Sequence, residues 1–440
     1  MPSDRNHQPA RHRILLRAFQ SPFDNYSAEQ SLARRNLGDN VGNLLFSHSA
    51  YRLLSAGSAT VQVDRFRTVD PGWVNDSFDV VVLPLANAFR QHFILELEDM
   101  TATIERLRIP VVVAGVNAQL TLKAREPRGD IGPAVTRFVR AVLRNAPNIG
   151  VRGERTAQYL QRLGFGGDDV RVIGCPAMFA YGPDLPQPRL PEAINRDARI
   201  ALNLSPYVHG LAELALDQGK RYPNLVYTAQ DLPTLGLLLT GRYESKLPVR
   251  EGFPAGLDHP LVSSGRTVVP VNIPGWLDHL AGCDFSFGSR IHGNIAAILA
   301  GTPAFVLAHD SRTAELADYH ALPHHILGKD VSGIDAAALY EEADYAAMLA
   351  RHTVTWARFS AFLASHGLRT RYDDGVPPGR FDEEVAAICC RPVATLQPNR
   401  RPQVALAQVA YLAERAGSRV RRILASRRRS AATSAGTNAS

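Results

Sequence analysis

The sequence predicts an α/β protein of two Rossmann-like domains facing a cleft, followed by a basic C-terminal helix or tail. Three observations carry this reading. Short Val-rich runs, such as Phe78–Leu85 and Ile109–Val116, alternate with stretches of helical spacing, the pattern of parallel strands covered on both faces. A proline-rich segment, PDLPQPRLPEA, interrupts that alternation mid-chain. The 440 residues are enough for two such domains. Residues 1–182 are assigned to the first domain, 183–197 to a linker, 198–395 to the second domain and 396–440 to the tail.

In the first domain, Arg13–Phe19 reads as a strand, Gln20–Asn40 as a long polar loop and Val41–Ser55 as a helix. Asn36, Gly38, Asp39 and Asn40 therefore lie between the first strand and the first helix, where they can cap that helix or bind sugar hydroxyls. Thr60–Phe66, Phe78–Leu85 and Ile109–Val116 follow as strands, with a helix over Phe93–Leu107. Arg137–Asn145 reads as a helix and Asn148–Arg152 as a strand. Gly153–Leu163 is a helix stopped by Gly164, and Val170–Ile173 is a strand. Arg152 thus stands at a strand end just before a helix, a place suited to an anion.

In the second domain, Ala198–Ser205 opens a strand and Leu225–Thr240 reads as a helical region broken by Pro233. Thr267–Val271 is a strand and Ile273–Leu280 a helix. Cys283–Phe287 is a strand, His292–Ala300 an alanine-rich helix ended by Gly301, and Ala304–Ala308 a strand. Asp310 and Ser311 are placed to cap another helix. Ala336–Leu368 reads as two helices, and Arg371–Pro402 as irregular. Val404–Arg429 is a basic amphipathic helix suited to a membrane surface or a docking partner, or else a disordered basic tail.

Composition sets limits. The formal charge is +7, yet residues 400–440 hold nine arginines and one glutamate, so the excess sits on the tail and the body is near neutral. Nucleic-acid binding by the body is not expected. No apolar run approaches the roughly 20 residues of a membrane span, and no signal-peptide pattern opens the chain. Cys175, Cys283, Cys389 and Cys390 lack metal-ligand spacing and read as reduced thiols. A cytoplasmic protein, peripheral on the inner face of the membrane if the tail binds there, is expected. No P-loop, G-x-G-x-x-G, H-E-x-x-H or G-x-S-x-G is present, which argues against nucleotide hydrolases, classical dehydrogenases, zincins and α/β-hydrolases.

The run CDFSFGSRIHGNIAAILAGTPAFVLAHDSRTAELAD carries the chemistry. Two strand ends bear polar groups where a plain loop would need none. The first presents Ser289, Arg290 and His292; the second presents His309, Asp310, Ser311 and Arg312. Two arginines, a histidine and two helix N-termini facing one crevice make a site for a small, multiply charged anion. The lack of a carboxylate cluster predicts no divalent metal.

GSRIHGNIAAILAGTPAFVLAHDSRTAEL resembles the C-terminal signature of the polysaccharide pyruvyl transferase family, whose R-x-H falls on Arg290 and His292. That family has a GT-B-like architecture in which late helices cross back to the first domain. The resemblance implies transfer of pyruvate from phosphoenolpyruvate onto two hydroxyls of a sugar as a cyclic ketal, with no cofactor besides that donor. The acceptor would be a surface glycan or a lipid-linked glycan. Arg290, Arg152 and Arg312 would hold the donor, and His292 would move protons. Ser289, Asn36, Asp39, Asn40, Asp310 and Ser311 complete the expected substrate-binding set. The chain departs from the family where LPLANAF and GVNAQL replace glycine patterns, and where Cys175 replaces an aspartate before Pro-Ala. A GT-B glycosyltransferase using a nucleotide sugar, or a non-catalytic glycan-binding member, stays open.

Overall fold

The computed structural model describes residues 12–38, 40–57, 59–120, 127, 129–328, 330–373, 375, 380–388, 392–414 and 416. The first half runs β1 (Arg13–Arg17), α1 (Ala28–Arg34), α2 (Gly42–Leu54), β2 (Thr60–Asp64), α3 (Pro71–Ser77), β3 (Val80–Leu83) and β4 (Ala86–Phe89). It continues with α4 (Ile94–Ile104), β5 (Val111–Ala118), α5 (Gly132–Leu143), β6 (Ile149–Val151), α6 (Glu154–Arg162) and β7 (Val170–Val172). These strands form one parallel sheet in the order β2-β1-β3-β5-β6-β7, with β4 pairing β5 off this path. The β-branched runs of β3 and β5 are buried on both faces, as a doubly covered sheet requires. Leu44, Leu45 and Phe46 of α2 pack on one face, and Leu97 and Met100 of α4 with Val135 and Phe138 of α5 on the other. The winding therefore reverses between β1 and β3, which opens a crevice at their carboxyl ends.

The second half runs β8 (Ile200–Asn203), α7 (Leu211–Arg221), β9 (Val226–Thr228), α8 (Leu232–Thr240), α9 (Pro260–Ser263) and β10 (Thr267–Val268). Then come α10 (Ile273–Ala281), β11 (Phe285–Gly288), α11 (Ile291–Leu299), β12 (Ala304–Ala308), α12 (Ser311–His320) and β13 (His324–Ile326). The strands pair in parallel in the order β10-β9-β8-β11-β12-β13. Two parallel sheets covered by helices make the chain α/β, with two Rossmann-like halves in a GT-B-like arrangement.

After α13 (Ala336–Glu342), the long α14 (Tyr345–Ser365) carries the chain back to the first sheet. A Cβ on Gly150 of β6 would meet Phe362 at 2.9 Å, and His366 Nε2 lies 3.1 Å from Asn148 Oδ1. Arg371 then donates its backbone N–H to Leu53 O, and α15 (Phe381–Ala387) places Phe381 against Phe23, His48 and Tyr51. Residues 401–414 form a last helix. Its start is tied to α8 by Arg400 N–H to Leu239 O and Arg401 Nε to Thr240 O, and Arg34 of α1 stacks over Tyr411 and pairs with Glu414. Among the described residues no helix is long and apolar enough to cross a membrane.

Several local expectations change. The loop Gln20–Asn40 contains α1, set by a capping box between Ser27 and Gln30. Leu225–Thr240 is not one helical region: Val226–Thr228 is a strand, and the helix starts only after Asp231, whose carboxylate accepts from Thr234 N–H. The "irregular" segment after Arg371 holds α15. Residue 415 and residues 417–429 of the expected basic helix, like Asp39, Cys389 and Cys390, lie outside the described residues.

Candidate active site

The loop between β11 and α11 is locked by two asparagines. Asn203, last in β8, accepts from Arg290 N–H at Oδ1 (2.9 Å) and donates Nδ2 to Asn294 Oδ1 (3.0 Å). Asn294 in turn donates to Gly288 O at 3.0 Å. Gly288 has φ of +143°, and a Cβ there would sit 1.8 Å from Asn203 O, so only glycine fits. This clamp fixes Arg290 as the residue before α11 and presents His292 in its first turn.

His292 is the hub. Its Nε2 lies 3.7 Å from Cys175 Sγ, and its ring is 5.8 Å from that of Phe46 on α2. A Cβ on Gly42 would meet His292 Cβ and Nδ1 at 2.8 Å, so the start of α2 reaches the ring only because residue 42 lacks a side chain. Burial, then Arg152, Arg312 and Arg290, hold His292 well below the ordinary histidine range; the imidazole is neutral. The three arginines come from β6–α6, β12–α12 and β11–α11, and all act on this one ring.

The three differ in what already satisfies them. Arg290 donates Nε to Leu204 O (3.2 Å), and its Nη2 lies 3.9 Å from Asp231 Oδ2. Arg312 is gripped by Asp310, which accepts from Nε at 2.9 Å and also from Nη2. Burial works to raise the Asp310 carboxyl, but Arg312, His309 and the Thr313 N–H hold it down at about 2. Arg152 has no anionic partner. It is 3% exposed, its Nε and Nη2 have no hydrogen-bond partner, and its guanidinium stands over Phe46 at 5.3 Å. Burial and neighbouring Arg312 lower its pKa, against Cys175 and Glu315. Burial keeps the Cys175 thiol protonated, which removes a thiolate–imidazolium pair from consideration.

The remaining expected residues are placed as follows. Ser289 is fully buried, and its Oγ accepts from Ser205 N–H at 2.8 Å. Ser311 donates its hydroxyl to Leu120 O at 2.7 Å, joining α12 to the end of β5. Asp310 caps α12 as expected. Asn36 is buried, donates to Gln20 and leaves Oδ1 without a partner. Asn40 accepts from Gly42 N–H at 2.7 Å and forms a β-bridge with Asp231, while Val41 N–H donates to Gln230 O at 2.8 Å. His309 is also neutral, pushed down by burial to about 4, and neither of its ring nitrogens has a hydrogen-bond partner. Among the described residues no group of three or more His, Cys, Asp or Glu is placed to hold a metal ion.

Against this geometry, the family model for polysaccharide pyruvyl transferase matches residues 40–311. The chain belongs to the polysaccharide pyruvyl transferase family. The match begins at Asn40 and ends at Ser311, so it takes in α2, Arg152 and the whole Arg290–His292 loop. No curated protein matches this pyruvyl transferase family member in sequence. Among solved structures it is similar to the glycotransferase of kitacinnamycin, at 11% identity over 82% of this chain and 97% of that one, with a TM-score of 0.34. It is also similar to UDP-GlcNAc 2-epimerase from Neisseria meningitidis bound to UDP-GlcNAc, at 10% identity over 85% and 98% of the chains, TM-score 0.41. The glycosyltransferase SnogD from Streptomyces nogalater gives 14%, 80% and 96%, TM-score 0.32.

Sequence reasoning missed Phe46, the shared floor beneath Arg152 and His292, and Glu315, which spans the two halves. Glu315 Oε1 accepts from Thr156 N–H at 2.9 Å, and Oε2 accepts from Asn117 Nδ2 at 3.2 Å. An open groove of about 860 Å³ between α4, α5 and α6 shares no residue with this site, and its Arg137 is already held by Glu105.

Proposed function

We propose that the protein transfers pyruvate from phosphoenolpyruvate onto two hydroxyls of a sugar in a surface polysaccharide or glycolipid, forming a ketal. The observation that carries this reading is Arg152, a buried guanidinium with no counter-ion, beside a neutral histidine. A buried charge left unpaired is costly, so the site is complete only when an anion enters. The donor's phosphate and carboxylate supply that anion. Arg152 takes one group, and Arg312 and Arg290 contribute positive field while tethered by Asp310 and Asp231.

The neutral state of His292 suits it as a base. In the first step a sugar hydroxyl loses its proton to His292 and bonds to the central carbon of the enol. The enol double bond takes up the proton at its methylene carbon, which becomes the methyl group. Phosphate then leaves with the electrons of the C–O bond, and the second hydroxyl closes the ketal as its proton departs to His292 or phosphate. No cofactor enters these steps. A glycan or lipid-linked glycan is the acceptor, and the exposed helix 401–414 brings the enzyme to the inner face of a membrane.

Acceptor-dependent phosphate release from phosphoenolpyruvate, with a ketal found on the glycan, is the direct measurement. Stabilisation against heat by uridine nucleotides, with no phosphate release, would instead select the glycosyltransferase reading. Glycan binding without either activity would leave a binding protein.

A further inference from the structure

Only two arginines among the described residues are buried, Arg152 and Arg17, and neither has an ion pair. Arg17 is the last residue of β1 and is 7% exposed. Its Nε has no hydrogen-bond partner. Its guanidinium stands over two rings, Phe19 at 5.7 Å and Phe93 at 5.9 Å. Arg65 shares the Phe19 ring at 5.7 Å, and Arg90 shares the Phe93 ring at 5.9 Å. Glu96, the acidic group that acts on Arg17, is already bonded to Arg67 Nη2. Burial, with Arg67 in support, brings Arg17 down to about 10.

The place matters as much as the residue. β1 and β3 flank the point where the sheet's winding reverses, and ligands enter outside the carboxyl ends there. Asn36, whose Oδ1 is buried without a partner, lies in the loop that leaves this strand end. Three strand spacings separate β1 from β6, about 14 Å of backbone along the sheet edge, so Arg17 and Arg152 leave the sheet at different points of the crevice.

We infer that Arg17, with Arg65 and Arg90, forms a second anion subsite that binds a phosphate or carboxylate group carried by the acceptor. This deepens the pyruvyl transfer reading and rests on it for the word acceptor; the anion site itself does not. Two sources share the chemistry: the diphosphate of a lipid-linked glycan and the carboxylate of an acidic sugar.

Hydrogen exchange on the full-length protein, with pyrophosphate or with glucuronate as probe, tests this. One of the two probes is expected to slow amide exchange across residues 17–20 and 90–93 about tenfold at ten times its dissociation constant. Arg152→Gln should keep this protection, and Arg17→Met should lose it. Protection by pyrophosphate assigns the site to a diphosphate, and protection by glucuronate to an acidic sugar. If neither probe protects these residues in the unaltered protein, or if Arg17→Met is protected equally, the subsite does not exist. Should Arg17→Met fail to fold, the unaltered protein and Arg152→Gln still decide. Failure of phosphoenolpyruvate turnover with this protection intact would discard the transfer reaction and keep the subsite.

Discussion

Cys175 Sγ lies 3.7 Å from His292 Nε2, where the family pattern has an aspartate. A thiol cannot hold an imidazolium, whereas a carboxylate at that distance would. The protein therefore keeps His292 neutral by omission as well as by the arginines around it. Cys175→Asp should raise the His292 pKa through the new opposite charge. The acidic limb of the rate profile would move to higher pH by the same amount. A limb that stays in place would show that His292 is not the group being titrated. The same carboxylate would sit near Arg152, so KM for phosphoenolpyruvate should rise together with the shift.

Arg152→Lys and Arg152→Gln separate charge from fork geometry. Arg152 is the one arginine of the three with two buried nitrogens that lack a hydrogen-bond partner, and it has no ion pair. The glutamine variant should lose about 100-fold to 1000-fold in kcat/KM, and lysine should recover only part of it, since it offers a point charge rather than a fork. Steady-state kinetics at saturating acceptor would show this. Equal loss on Arg290→Gln with none on Arg152→Gln would relocate the donor site.

Donor binding should take up a proton. In the empty site burial and three cations depress His292; an incoming polyanion screens those cations and raises it. Calorimetry at pH 6 in buffers of different ionisation enthalpy should show net proton uptake with phosphoenolpyruvate. The uptake should vanish in His292→Asn. Stability follows a related sign. His48, His279, His309 and His366 are each pushed down to about 4 by burial, so the unfolded chain binds more protons between pH 6.5 and 4. Stability is full above that window and falls as pH drops through it, which thermal unfolding from pH 7 to 4.5 should register.

Strands were legible because parallel strands buried on both faces read as valine-rich apolar runs, as in β3 and β5. The short β9 was not, since Val226–Thr228 is three residues long and its neighbours Leu232–Thr240 dominate any helical window. Arg290 and His292 stood out because both lie two residues apart at a strand end. Arg152 could be placed at a helix start, but nothing local shows that it is buried without a counter-ion. Arg17 reads as an ordinary strand-end charge until the sheet closes around it. Asp310 beside Arg312 could have signalled that Arg312 is tethered, since the two are close in sequence. Glu315 reaching Thr156 could not, because that contact spans 159 residues.

The last helix presents Leu406, Val409 and Leu412 to solvent at 71%, 66% and 57% exposure, while Arg34 and the end of α8 hold its other side. The sequence adjoining it supplies seven arginines after Glu414. An apolar stripe beside a concentrated positive charge fits an anionic bilayer surface. Vesicles containing phosphatidylglycerol should sediment the protein, neutral phosphatidylcholine vesicles should not, and Leu406→Ser with Leu412→Ser should weaken the former several-fold. Salt-insensitive binding to both vesicle types, or none to either, would rule out this surface role.

Glu315 links the two halves at the site. Its carboxylate, on α12, accepts from Thr156 N–H at the start of α6 (2.9 Å) and from buried Asn117 (3.2 Å). Burial raises its pKa, with the Thr156 and Arg155 N–H groups opposing. The helix N-terminus it caps is the one that follows Arg152, so the contact also positions that guanidinium. A Cβ on Gly153 would lie 2.1 Å from Glu315 Cγ, so even Gly153→Ala would force the two helices apart. Glu315→Ala leaves three buried polar groups without a partner and should cost about 2–4 kcal/mol. Glu315→Gln keeps the shape and one acceptor, and should cost less in urea unfolding. Both variants should also raise KM for the donor, the alanine variant more, because Arg152 loses its support. A stability loss with KM unchanged would confine Glu315 to holding the halves together.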